Sequence, residues 1–211
     1  MSNILDSVRD YLSPDLLSEA AKIYGENEVG IAKAISSLAP TILAGLLEKC
    51  GDSHAIDDVF STLRDFNPGI LANLDSLLDG DSDLKEKSGQ LLGVIFGAKM
   101  PAITNAVASF SGVKQSSASS LLGFAGPLVM ALFSKKISEE GLTASKFVGY
   151  LLSQRNIIVS LLPAGVGALL GMANAGHGNS IQGKTGIALA WTWPLLLLIG
   201  LGLAIIYFLK N

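Results

Sequence analysis

SLAPTILAGLLEK, residues 37–49, and FAGPLVMALFSKK, residues 124–136, lie 87 positions apart and share one signature, a proline early in an apolar run that closes on lysine. The same offset, without a gap, sets Pro14 on Pro101, Gly25 on Gly112, Pro40 on Pro127 and Gly80 on Gly167. Pro and Gly punctuate helices rather than fill them, so their coincidence says more than a shared apolar rhythm. Ala21/Ala108, Ala44/Ala131, Lys49/Lys136 and Phe60/Phe147 coincide as well. The expectation is a tandem duplication, with one helical repeat over 1–87 and a second over 88–172.

Reading outward from the quoted stretch, the local signals are helical throughout. Ile4, Leu5, Val8, Tyr11 and Leu12 keep the spacing of a buried helical stripe. Ser13-Pro14-Asp15 reads as an N-cap, a first-turn proline and an acid at the positive helix end, with Gly25 as the stop. A further helix is expected over 28–38, after which Pro40 opens a short apolar helix ending near Gly51. Val59, Phe60, Leu63 and Phe66 line the next, and Asn67-Pro68 starts another. No window of alternating β-branched residues competes, so the fold class is all-α.

The mean hydropathy is +0.47 and only 16% of the residues are charged, which directs attention to a membrane segment. Gly186–Leu209, GIALAWTWPLLLLIGLGLAIIYFL, is uncharged and exceeds the about 20 residues a spanning helix needs. Trp191 and Trp193 at one end, and Tyr207 and Lys210 at the other, stand where aromatic rings and a snorkelling ammonium anchor such a helix. Pro194 falls in its first turns. Residues 186–209 are therefore expected to be one C-terminal transmembrane helix. Residues 173–185, rich in Gly, Asn and Ser, are the expected linker to it. The shorter runs 120–133 and 157–172 contain Pro127 and Pro163 and are expected to be core helices rather than spans.

The N-terminus carries Asp6, Arg9 and Asp10 and has no continuous apolar region, so it does not read as a signal peptide. The expected location is the bacterial inner membrane, with the helical domain in the cytoplasm. Residues 1–87 hold 7 Lys/Arg and 16 Asp/Glu, net −9, against 8 and 2, net +6, in residues 88–211. A basic half beside the anchor suits an anionic leaflet.

Several motifs hint at chemistry and fall short. GNSIQGKT, residues 178–185, matches the phosphate-loop pattern, but linker precedes it and an apolar helix follows it. A phosphate loop needs a strand before it and a sheet around it. Asp79, Asp81 and Asp83 start like a calcium loop, yet Leu84 replaces the turn glycine and Gln90 the bidentate acid, leaving an acidic linker as the expectation. Cys50 is the single cysteine, with only His54 and His177 to join it, so no metal site is expected. No nucleophile–base set can be assembled, no cofactor or small-molecule substrate is implied, and the scattered lysines lack the aromatic interleaving of a nucleic-acid surface.

Gly89, Gly93 and Gly97 recur every four residues, which clears one helix face for close approach. The expectation is packing within the domain, with self-association as the functional alternative. Gly200 and Ala204 form a weaker pair of the same kind.

Residues 3–49 and the return of the Pro-centred helix at 127 resemble the bacterial domain-of-unknown-function family numbered 937 (YidB-like) over about residues 1–170. The resemblance implies an α-helical domain and brings no catalytic residues. Some similar proteins continue past a Trp-rich membrane helix into an OmpA-like, peptidoglycan-binding domain. The expected function is a non-enzymatic, membrane-anchored scaffold or adaptor, assembling with itself head to tail through its oppositely charged halves or binding a protein partner. The alternatives are a membrane-inserting pore former or lipid remodeller and, remotely, a nucleotide-binding protein.

Overall fold

Most helices of the first half start on a side-chain cap supplied by the chain. The computed structural model describes residues 3–79 and 82–172, all within the unit Met1–Ala175, and every element among them is helical. The first helix, α1 (Ile4–Asp10), is capped by Asn3. Next comes α2 (Pro14–Tyr24), which begins on its proline with Ser13 Oγ accepting from Leu16 N, and stops at left-handed Gly25 (φ 62°). Then α3 (Glu28–Lys49) starts at Asn27, whose side chain accepts from Gly30 N at 2.7 Å. It is followed by α4 (Ser53–Arg64), a 3-10 turn over Pro68–Ala72 and the short α5 (Asp75–Asp79).

The chain resumes with α6 (Ser82–Phe96) and a 3-10 turn over Gly97–Lys99, leading into α7 (Met100–Ser111), which ends on left-handed Gly112 (φ 77°). After it come α8 (Gln115–Glu140), α9 (Ala144–Ser153), α10 (Arg155–Ser160) and α11 (Val166–Leu169).

Two sequence expectations are corrected. Pro40 does not open a new helix; α3 runs through it, as α8 runs through Pro127. An interior proline costs about 3 kcal/mol. Around it, however, Ile35, Leu38, Ala39, Ile42 and Leu43 are at most 2% exposed, and each large apolar side chain buried returns about 1.5–3 kcal/mol. Burial of the helix outweighs the local break. The second correction concerns residues 82–90, expected as acidic linker, which form the first turns of α6.

Continuity through the prolines has a further result. Glu28–Lys49, Glu86–Ser111 and Gln115–Glu140 are each long and apolar enough to cross a membrane, by length and composition. The first and third are 78% buried inside the domain, and the second 44%.

At the centre, α3 packs on α8, and the flanking helices exchange sides. Helix α4 and the 68–72 turn pack on α8, while α9 and α10 pack on α3. Close approach occurs where α3 and α8 lack side chains. A Cβ on Gly45 would clash with Ile95 Cγ2 and lie 2.7 Å from Phe96 Cε1, and one on Gly126 would lie 3.0 Å from Leu92 Cδ1. The two glycines thus seat the end of α6 against both central helices.

The positions that coincide in sequence also meet in space. The rings of Phe60 and Phe147, 87 residues apart, are 5.7 Å between centroids. Gly30 faces Val113, its Cβ position 2.9 Å from Val113 Cγ1, and reciprocally Ser117 Oγ donates to Glu26 at 2.7 Å. Helix α3 starts at residue 28 and α8 at 115, and α2 ends at 24 and α7 at 111, an offset of 87 in both cases.

Candidate functional site

The residues singled out from sequence fall into three groups. Pro14 opens α2, Pro101 is second in α7, Gly25 and Gly112 close α2 and α7, and Pro40 and Pro127 sit inside the long helices. The anchor residues Trp191, Trp193, Pro194, Tyr207 and Lys210, the pair Gly200 and Ala204, and the stretch 178–185 lie outside the described residues.

Gly89, Gly93 and Gly97 overturn the expectation of packing within the domain: a Cβ built on any of them meets nothing within 4 Å. Nor do they share one helix face, because Gly97 has φ +49° and ends α6. The glycines that admit a neighbour from another helix or loop include Gly30, Gly45 and Gly126. Gly89→Ala and Gly93→Ala, in an exposed helix interior, are expected to stabilise the domain by about 0.5–1 kcal/mol each, read from denaturant midpoints.

Opposite charges on the two halves meet inside one chain. Lys99 Nζ lies 2.6 Å from Glu48 Oε1, a partly exposed ion pair of the kind worth about 0–1 kcal/mol. Glu26 Oε1 accepts from the Lys114 backbone N–H at 2.9 Å as well as from Ser117. The bond from the Lys114 amide, then the one from Ser117, hold the Glu26 carboxyl below the ordinary carboxylate range. A depressed folded-state pKa contributes stability above the unfolded pKa that is lost as pH falls through the folded one. Glu26→Gln is therefore expected to lower stability at neutral pH, with the gap to wild type closing in acid. Parallel melts from pH 7 to 3 check this.

A second inter-half network is buried. Lys136, 7% exposed, bonds Glu140 at 2.6 Å and lies 4.5 Å from the centroid of the Tyr150 ring. The Tyr150 hydroxyl accepts from Ile4 N at 3.2 Å, joining α9 to the start of α1, and burial pushes its pKa up. The ion pair and the ring contact satisfy a buried ammonium, which would otherwise carry a large desolvation cost.

Among the described residues no three His, Cys, Asp or Glu side chains converge as metal ligands. Cys50 is half-buried, its thiol donating to Leu46 O and pushed up in pKa by burial, the reverse of what a reactive thiolate needs.

What the surface offers instead is a groove between α1, α3 and α7. Leu5, Val8 and Ala39 form its floor, and Val29, Phe110 and Leu161 its outer walls. Val29 is 64% exposed, Phe110 52% and Leu161 41%, so three large apolar side chains meet solvent around one depression. Arg9 and Lys33 are the charged residues in its lining. Sequence reading missed the groove because four separated segments build it.

Comparison with curated proteins and with solved structures returned no significant match. The family described as bacterial protein of unknown function (DUF937) matches residues 6–136, from α1 through the buried half of α8. That span holds the capped helices, both interior prolines and the α3–α8 contact. The chain belongs to this bacterial DUF937 family.

Proposed function

We propose that the protein is a non-enzymatic helical scaffold or adaptor, tethered to the cytoplasmic face of the bacterial inner membrane by residues 186–209. The observation that carries this reading is the exposed apolar groove between α1, α3 and α7. Part of the opposite charge of the two halves is spent within the chain, Glu48 on Lys99 and Glu26 on the Lys114 amide and Ser117. Binding of a second copy or of another protein then rests on apolar surface and resists salt.

We also read residues 1–172 as a duplicated module. The offset shared by helix starts, the Phe60–Phe147 self-contact and the reciprocal 26/117 and 30/113 contacts support it, since a two-fold axis brings equivalent positions together and makes contacts mutual. The exchanged flanking helices follow the same symmetry.

The tether is tested by removing residues 186–209. The shortened chain is expected to move from the membrane pellet to the supernatant, with helical content unchanged by circular dichroism. Retention in the pellet would overturn the tether.

A second reading, membrane insertion, is favoured by Glu86–Ser111, the least buried of the three span-length stretches among the described residues. Leakage of dye from vesicles by the shortened chain would support it, and intact vesicles would remove it.

A further inference from the structure

We propose that the groove between α1, α3 and α7 binds a single long hydrocarbon chain ending in a carboxylate, with the chain along Leu5, Val8 and Phe110 and the head group at Arg9 and Lys33.

Shape is the first argument. The depression holds about 450 Å³, inside the about 300–1,000 Å³ of small-molecule sites, and is open along one side. That suits one chain better than the paired chains of a membrane lipid. Its polar lining is sparse: Ser37 spends its hydroxyl on Ala34 O, which leaves exposed Ser36 as the neutral polar side chain beside the two cations.

Charge is the second. Arg9 and Lys33 line the groove and no carboxylate does. Arg9 has only a 3.9 Å contact with exposed Asp6, so its guanidinium stays available for an anion. The net charge complementary to this wall is negative.

The third argument compares the molecule with itself, and rests on the duplication reading above. At the offset of 87, Val29, Ala32 and Lys33 correspond to Ser116, Ser119 and Ser120, all exposed, and Arg9 corresponds to Phe96, which is buried. The same helix in the other half thus folds with serines on this face, and the cation at a corresponding lining position there, Lys99 opposite Leu12, is paired with Glu48. The fold does not require exposed Val29 or the Arg9–Lys33 pair, and one half alone carries them.

The test uses the full chain in nanodiscs of neutral phosphatidylcholine and a palmitate bearing a photoreactive diazirine, with labelled peptides mapped by mass spectrometry. Labelling is expected in residues 4–12, 28–39 and around Phe110 and Leu161. Unlabelled palmitate should displace it, and hexadecanol, the same chain without charge, should compete at least about fivefold less well. The double variant Arg9→Gln/Lys33→Gln, which changes two exposed side chains, should lose labelling about tenfold while melting like wild type. Phe110→Ser should weaken palmitate and hexadecanol alike.

Label confined to 186–209, equal competition by both probes, or full labelling of the double variant would each overturn the proposal. So would an unlabelled groove with a Phe110→Ser variant that lowers the particle mass, which would place a second copy there. Failure of the tether experiment leaves this site standing, because the readout maps the groove itself.

Discussion

Gly45→Leu is expected to prevent the domain from folding, and Gly45→Ala to cost about 1–3 kcal/mol, whereas Gly126→Ala is nearly neutral. The difference lies in what each new methyl group meets. At Gly45 the obstacles are Ile95 Cγ2, a branched methyl held close to its own backbone, and Phe96 Cε1 at 2.7 Å on a rigid ring. Both side chains are at most 2% exposed and have nowhere to move. At Gly126 the nearest atom is Leu92 Cδ1 at 3.0 Å, the free end of a flexible side chain. The expected order of denaturant midpoints is Gly89→Ala above wild type, then Gly126→Ala, then Gly45→Ala, with Gly45→Leu yielding no cooperative transition. A cooperative Gly45→Leu melt near that of wild type would mean that α6 does not pack on α3 as described.

The glycines also show what a one-dimensional reading can and cannot reach. Gly25 and Gly112 were legible because a helix stop is a local event: a left-handed residue releases the chain, and glycine adopts that conformation at little cost. Ser13, which caps the start of α2, was equally local. Gly89, Gly93 and Gly97 form a clean period-four pattern and face outward, while Gly45 and Gly126, inside the two Pro-centred runs that suggested the repeat, receive α6. Spacing marks a possible face, and only a partner from elsewhere in the chain decides which face is used. Pro40 misled for a related reason, whereas the run through Pro127 was expected to be a core helix and is part of one. The local rule says that proline ends a helix, and nothing nearby in sequence reveals that both prolines are buried among side chains that hold the helix through them. The groove was out of reach altogether, because Val8, Val29, Phe110 and Leu161 come together only when α1, α3, α7 and the end of α10 pack.

Phe147→Ala should remove about 3–5 kcal/mol, from a total that for a domain is about 5–15 kcal/mol, and lower the melting temperature by about 6–20 °C. Phe147 is fully buried on α9 and meets two rings, Phe60 of α4 at 5.7 Å and Phe133 of α8 at 5.2 Å in an edge-on arrangement. Truncation therefore leaves a cavity and also removes two aromatic pairs, each worth about 0.5–1.5 kcal/mol beyond area. The site joins both halves of the chain, so the cavity opens where α4, α8 and α9 converge and no single helix can shift to fill it. Phe110→Ala makes the contrast, since that ring is 52% exposed and its loss should stay within about 0.5 kcal/mol. Thermal melts of the two variants side by side decide the matter. Equal shifts would contradict the placement of Phe147 in the core. A large shift for Phe147 with none for Phe110 leaves Phe110 without a role in stability.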